Sequence, residues 1–171
     1  PPQSNIEPIK KNFKNIFNFL NNLNMKKIWI SPNNDAGSAI IKSEFMRYRD
    51  ANDYLFDNLP REEYLTLLKN TKCIIGNSSS GILESPTFKV PCVNLGNRQF
   101  GRLRAKNVID VNKISEKKIR KAFIQSQSKS FKRKIKSVIN PYGDGNSSEK
   151  ILKIILNTKI DDKLMFKKLT Y

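Results

Sequence analysis

Residues 76–104 read GNSSSGILESPTFKVPCVNLGNRQFGRLR, and this stretch decides the fold of the chain. An apolar run precedes the Gly-Asn and three serines, and a second apolar run (90–95) ends in Gly-Asn-Arg. Strand, small polar turn and helix start together offer backbone N–H groups and hydroxyls to an anion. Glu84 follows by about one helical turn, where its carboxylate can accept hydrogen bonds from sugar hydroxyls. With Arg98 at the next strand end, the stretch suggests a nucleotide-diphosphate site.

Short apolar strands and amphipathic helices alternate along the rest of the chain. Strands are predicted at 28–30, 53–56, 72–76, 91–95 and 107–111, and helices at 4–23, 38–48, 80–88, 113–123, 130–139 and 146–157, with another that opens at 59–60. This alternation predicts one α/β domain over residues 1–171, with a Rossmann-like parallel sheet and helices on both faces. The charged tail, 159–171, predicts a short docking helix.

Four polar turns follow predicted strands, at 33–38, 59–60, 77–81 and 97–102. Ligands of parallel α/β sheets bind outside the carboxyl ends of the strands. We therefore expect these turns to lie at one edge of the sheet and to form one site.

Composition narrows the possible functions. The chain has no histidine, which excludes a Ser–His–Asp triad and the usual zinc ligand, and no metal site is predicted. The net charge of +17 raises a nucleic-acid or polyanion-binding alternative. The lysines are scattered without interleaved aromatics, however, which favours an anionic substrate or a solvated basic face.

Cysteine usage and hydropathy indicate the compartment. Cys73 and Cys92 both lie in apolar runs, as buried free thiols in a reducing cytoplasm would. No apolar run approaches the ~20 residues of a membrane span, and no signal peptide is recognisable. We therefore expect a cytoplasmic protein with no membrane partner. The start at Pro1 predicts a processed protein or part of a longer one.

Four separate motifs resemble those of the UDP-N-acetylglucosamine 2-epimerases, and most closely the hydrolysing branch. They are PNNDAGS, GNSSSG with a glutamate three residues beyond its last glycine, VPCVNLGNRQ-x-GR, and PYGDGN, and they occur in the family's order. The resemblance covers about residues 25–157, and only the family's C-terminal domain. It implies the C-terminal half of a glycosyltransferase B-type fold, in which substrate lies between two Rossmann-like halves.

The resemblance also implies roles for individual residues. Ser78 and Ser79 match serines that hold the diphosphate, and Glu84 matches the acid that binds the ribose diol. Arg98 matches an arginine near the pyrophosphate, Asn33 matches an asparagine at the ligand, and the backbone of Leu59 matches a contact to uracil. Four further positions join the candidate set with less weight: Asp35, Ser38, Ser80 and Arg102.

Each of these residues also has a purely structural interpretation. Ser79 or Ser80 can cap a helix, and Glu84 can be a solvated helix acid. Asn33 and Asp35 are ordinary turn formers, and Arg98 and Arg102 fit a basic surface. PYGDGN reads most simply as a turn with a helix N-cap around 144–146. The combination of motifs supports the site, and no single residue does.

The family resemblance implies release of UDP from a UDP-2-acetamido sugar by elimination, followed by addition of water, for sialic-acid-like sugars. No residue of this chain matches the family's catalytic carboxylates or histidine, so the implied partner is a missing N-terminal domain, and the full enzyme would be a homo-oligomer. No cofactor is implied, and the chain alone is expected to be inactive. The alternatives are a non-hydrolysing epimerase, a glycosyltransferase donor domain and a basic polyanion-binding module.

Overall fold

The computed structural model describes residues 6–32, 37–51 and 53–166. Within these residues, helices and strands alternate in the order α1 Ile6–Asn21, β1 Lys27–Ile30, α2 Ser38–Tyr48, β2 Asp53–Phe56, α3 Arg61–Asn70, β3 Ile74–Gly76, α4 Ser80–Leu83, β4 Cys92–Leu95, β5 Val108–Val111, α5 Glu116–Gln127, α6 Lys129–Lys136, α7 Ser147–Asn157 and α8 Asp162–Met165. The predicted α/β architecture is confirmed. The predicted turn residues Asn33 and Asp35 lie outside the described part.

All the strand pairs are parallel, as the crossover helices require. The described strands form a two-stranded sheet, β1–β2, and a three-stranded sheet, β3–β4–β5. Lys27 pairs with Asp53 across β1 and β2, and its Nζ lies 3.3 Å from Asp53 Oδ1. This largely buried ion pair favours the observed register, since a one-residue slip would leave the carboxylate without its partner.

Helices cover both faces of the three-stranded sheet. Every residue of β4 is buried, as expected for a central parallel strand. Val93 and Leu95 pack with Ile119 of α5 in the main core. On the opposite face, Cys92 meets Gly81 of α4. The turn that follows β3 is therefore attached directly to the central strand.

The two-stranded sheet depends on an aromatic cluster from α1, β1 and α2. Phe17 is fully buried and stacks on Trp29 with ring centroids 4.8 Å apart. Phe45 meets the same indole edge-on at 5.1 Å. Such contacts add to the burial of large apolar area and hold β1 against two helices.

An apolar cleft of about 480 Å³ lies between β1 and β3. Its wall includes Trp29 from β1, Leu68 from α3 and Ile75 from β3. The sheet is divided at this cleft, because the described β1 and β3 belong to separate ladders.

Three helices differ from their predicted extents by three or more residues at one end or both. The helix predicted over 80–88 ends at Leu83, because Pro86 has no N–H to donate and its ring opposes further helical turns. Lys89 then adopts a positive φ of 57°. The helix predicted over 113–123 begins after Ser115, whose hydroxyl caps it, and extends to Gln127. The helix predicted over 130–139 begins after Ser128, whose hydroxyl also caps it, and ends at Lys136.

Helix α7 has no buried residue although five of its 11 residues are aliphatic. Its exposed aliphatic side chains are Ile151, Leu152, Ile154, Ile155 and Leu156, at 56–74% of their full accessible area. The predicted helix in the tail is observed as α8, and its docking role stays a prediction. Within the described residues, no helix has both the length and the apolar character needed to cross a membrane.

Two isoleucines test this difference in packing. Ile119→Ala removes a side chain that is fully buried in α5 and should lower the free energy of unfolding by about 2–5 kcal/mol. Ile155→Ala in α7 should change it by less than about 0.5 kcal/mol, because the side chain is exposed. Urea unfolding followed by circular dichroism measures both. Equal losses would contradict the exposed position of α7.

The predicted free thiols are confirmed. Cys73 is half-buried and Cys92 is buried, and neither is in a disulfide. Burial raises the pKa of the Cys73 thiol to about 11 and raises that of Cys92 further. At pH 8 both side chains therefore stay in the unreactive thiol form.

This burial predicts slow chemistry at both cysteines. In the native chain at pH 8, neither thiol should react at the rate of free cysteine with a chromogenic disulfide reagent. In urea both should react quickly, because unfolding restores ordinary pKa values. A native thiol that reacts at once would show that the sheet opens at that strand.

Candidate functional site

The serine turn, residues 77–81 after β3, is held by hydrogen bonds among its own hydroxyl, carbonyl and amide groups. Ser78 Oγ accepts a hydrogen bond from the Ser80 amide at 3.3 Å, and the Ser78 carbonyl accepts one from the Gly81 amide at 3.3 Å. Ser79 is the N-cap residue of α4, but its side chain makes no capping bond. Helix capping therefore does not explain why a serine stands at position 79.

The single helical turn of α4 changes how this segment can bind an anion. A helix of four residues carries little macrodipole, so the predicted contribution of a full helix N-terminus is absent. The donors are instead individual hydroxyl and amide groups of the turn. The bonds within the turn use the amides of Ser80 and Gly81 and not those of Ser78 and Ser79.

The start of α3 contacts both ends of helix α4. Arg61 Nη1 donates a hydrogen bond to Glu84 Oε1 at 2.8 Å. One helical turn further along α3, the Tyr64 hydroxyl is hydrogen-bonded to the Ser80 hydroxyl. Burial raises the pKa of Tyr64 above its ordinary value, so the phenol stays protonated. The segment after β2 and the turn after β3 therefore meet.

A buried glutamine joins the loop after β4 to the serine turn. Gln99 is 4% exposed, and its Nε2 donates to the Asn77 carbonyl at 2.7 Å. Arg104 donates to the Gln99 carbonyl at 2.7 Å and forms an ion pair with Asp110 at 3.3 Å. The loop that carries Arg98 and Arg102 is thereby fixed at both ends.

Asn140 and the PYGDGN segment that follows it contact α4 and the loop after β4. Asn140 donates to the carbonyl of Leu83 at 2.8 Å, and the Tyr142 hydroxyl donates to the carbonyl of Leu103 at 3.2 Å. Asp144 accepts hydrogen bonds from Lys150 and from the Asn146 amide, which lower the pKa of its carboxyl to about 2. The predicted turn before α7 is therefore present, although Asn146 forms no side-chain cap.

The end of β1 is connected to the end of β2 in the same way. Ser31 Oγ donates to Asp57 Oδ1 at 2.9 Å, and Lys42 Nζ donates to the same oxygen at 2.8 Å. Both partners lower the pKa of Asp57. Direct contacts thus link neighbouring strand ends around the edge of the sheet.

The structure brings some of the candidate residues together. Ser78, Ser79 and Ser80 lie in the serine turn, and Glu84 is the C-cap residue of the short helix α4 that follows. Leu59 lies two residues before Arg61, which donates a hydrogen bond to Glu84. Arg98 and Arg102 are exposed in the loop that Gln99 ties to this turn. Ser38, at the start of α2, takes no part in the described contacts of the turn. Asn33 and Asp35 lie outside the described residues.

Arg61, Tyr64 and Gln99 were not among the residues predicted from the sequence. Arg61 carries a detectable signal, since a cation in the first turn of a helix opposes the helix dipole and calls for another partner. Tyr64 lies three positions later on the same helix face, where a tyrosine fits an amphipathic helix and gives no separate signal. Gln99 stands inside the NRQ motif, but nothing in its neighbours indicates that it is buried.

The described residues of the site form no metal centre. Among the described residues, no three Cys, Asp or Glu side chains lie close enough together to hold an ion. The donors at the strand ends are hydroxyls, amides and arginines, which suit a phosphate group better than a cation.

Comparison with known proteins identifies the family. The sequence profile of the UDP-N-acetylglucosamine 2-epimerases matches residues 2–156. The chain belongs to this family. It is similar to the GDP/UDP-N,N'-diacetylbacillosamine 2-epimerase (hydrolyzing) of Campylobacter jejuni, with 39% identity over 98% of the chain and 44% of the relative. It is also 35% identical to the polysialic acid biosynthesis protein P7 of Escherichia coli, over 84% of the chain and 34% of that protein.

Solved structures show the same fold. The UDP-GlcNAc 2-epimerase of Methanocaldococcus jannaschii, in complex with UDP-GlcNAc and UDP, superposes with a TM-score of 0.71 at 21% identity, over 91% of the chain and 42% of that protein. The chain thus spans less than half the length of the relatives that it matches. The expected epimerase fold is confirmed for this part.

The contact between α4 and β4 yields a test of how this family member holds its serine turn. A Cβ at Gly81 would lie 2.6 Å from Cys92 Sγ, so Gly81→Ala should lower the free energy of unfolding by about 1–3 kcal/mol. Adding Cys92→Ala should recover at least about 1 kcal/mol, because it removes the clashing atom. Urea unfolding of the two single variants and the double variant gives this coupling. Strict additivity would contradict the close approach.

Proposed function

We propose that this chain is the UDP-binding part of a hydrolysing UDP-2-acetamido-sugar 2-epimerase. The Arg61–Glu84 and Tyr64–Ser80 contacts carry the proposal, because they join the segment after β2 to the serine turn. A ribose can then meet Glu84 while the diphosphate meets the hydroxyls and amides of Ser78 and Ser79. Leu59 supplies backbone for the uracil, and Arg98 lies in the adjacent loop.

The chemistry assigned to this part of the enzyme is stabilisation of the leaving group. In an elimination, the C1–O bond breaks and UDP takes the electron pair, while a base removes the proton at C2. Fixed hydroxyl and amide donors stabilise the negative charge that develops on the departing diphosphate. Water then adds across the double bond to give the free sugar.

The base for this elimination is assigned to another part of a longer protein. The chain has no histidine, and it spans less than half of its relatives. The exposed aliphatic side chains of α7 support the presence of a further packing partner. We therefore expect the 171-residue chain to bind UDP weakly and to turn over no sugar nucleotide.

The names of the relatives suggest the substrate class. Relatives named for diacetylbacillosamine and for polysialic acid biosynthesis support a UDP-linked 2-acetamido sugar that leads to a sialic-acid-like product. The free thiols of Cys73 and Cys92 support action in a reducing compartment such as the cytoplasm. A non-hydrolysing epimerase is the alternative within the family, and it would leave the epimerised sugar on UDP.

Calorimetry with UDP and with pyrophosphate tests the proposed site. Glu84→Ala should weaken UDP binding at least about tenfold, because the hydrogen bonds of the ribose to a charged acceptor are lost. Pyrophosphate binding should change less than twofold, since it has no ribose. The control, Glu149→Ala, removes the same charge from the exposed first turn of α7 and should leave both ligands unaffected.

Three outcomes would contradict the proposal. A folded wild-type chain that binds no UDP at millimolar ligand would reject the site. Equal losses for UDP and pyrophosphate in Glu84→Ala would reject the ribose contact. Binding that falls steeply with salt and does not separate UDP from inorganic phosphate would indicate a basic polyanion-binding surface instead.

A further inference from the structure

Arg61 occupies a position that helix stability does not explain. It is the first residue of α3, where the positive end of the helix dipole disfavours a cation, and the two glutamates that follow it are the favourable charges there. Its guanidinium instead crosses to Glu84, 23 positions later in the chain, with Nη1 2.8 Å from Oε1. The Arg61 side chain is 72% exposed, and so open an ion pair contributes little to folding.

The position of Glu84 makes this ion pair informative. Glu84 is the C-cap residue of the single turn of α4, and its side chain is 23% exposed. A glutamate has three rotatable bonds, and nothing within so short a helix fixes where the carboxylate lies. The bond from Arg61 uses one acceptor site of Oε1, so the carboxylate keeps acceptor sites on both oxygens for other donors.

Tyr64 acts on the other end of the same turn. It lies on the same face of α3 as Arg61, three positions later, and its half-buried hydroxyl is hydrogen-bonded to that of Ser80. One face of α3 thus holds both the first residue of α4 and the residue that ends it. The two contacts hold the Ser80 hydroxyl and the Glu84 carboxylate relative to each other.

We propose that Arg61 is a positioning residue that fixes the Glu84 carboxylate toward a vicinal diol and so makes the site select ribonucleoside diphosphates over their 2'-deoxy counterparts. This inference rests on the proposed function, because it assigns a ribose to Glu84. It adds that selectivity depends on a residue of α3 that need not touch the nucleotide. Loss of the arginine leaves the carboxylate free to turn into solvent, where it cannot accept from both hydroxyls.

Calorimetric titration of the 171-residue chain with UDP and 2'-deoxyuridine diphosphate tests the inference. The wild type should favour UDP about tenfold, since the deoxy ligand loses a hydrogen bond to a charged acceptor. Arg61→Met keeps the apolar stem and should weaken UDP about tenfold while changing the deoxy ligand less than twofold, so that the preference disappears. Arg61→Lys, which keeps the charge, should retain part of it.

Arg133→Met is the matched control, because it removes one exposed positive charge from α6 and should keep the wild-type preference. Circular dichroism establishes that each variant is folded. If Arg61→Met keeps the tenfold preference, or binds UDP more tightly because Arg61 competes with ribose, the inference is wrong. If the wild type binds no UDP, the proposed function itself fails, and the two failures are distinguished by the wild-type titration alone.

Discussion

The close approach of α4 to strand β4 is the constraint on which the candidate site depends. Gly81 lies against Cys92 so tightly that a single added carbon would stand 2.6 Å from the sulfur. Because β4 is buried on both faces, it cannot move away from that contact. The serine turn is therefore fixed to the central, fully buried strand of the three-stranded sheet, although α4 itself is only one turn long. Short helices need such an anchor, since their own hydrogen bonds cannot hold them.

Parallel register then decides which polar segments become neighbours. Gly76 of β3 stands opposite Asn94 of β4, so the turn after β3 and the loop after β4 leave the sheet at the same level. The Asn94 amide donates to Asp110 of β5 at 2.6 Å, and Arg104 donates to the same carboxylate. Gln99, in the loop after β4, donates a hydrogen bond to the Asn77 carbonyl in the turn after β3. Side-chain hydrogen bonds thus connect the segments at the strand ends, in addition to the backbone hydrogen bonds between the strands.

Strand and helix periodicity predicted the architecture well, because the apolar runs are short and the turns between them are polar. It overestimated α4, since Pro86 ends the helix in a stretch whose apolar pattern continues. The candidate turn could be read from its serines and from Glu84, but the partners of that turn could not. Arg61 and Tyr64 lie more than 15 positions away from Glu84 and Ser80, and only the folding of α3 beside α4 brings them into contact.

The distribution of charge at the strand ends bears on the kind of ligand. The chain carries a net charge of +17, yet three cations at this edge are paired with acids: Lys42 with Asp57, Arg61 with Glu84 and Arg104 with Asp110. A surface that binds polyanions without selectivity gains most from cations that no carboxylate neutralises. Carboxylates set among hydroxyls, amides and arginines instead suit a ligand with both phosphate and sugar hydroxyl groups. A carboxylate held by an arginine repels a bare phosphate and accepts a diol, so the pairing favours selectivity over overall attraction.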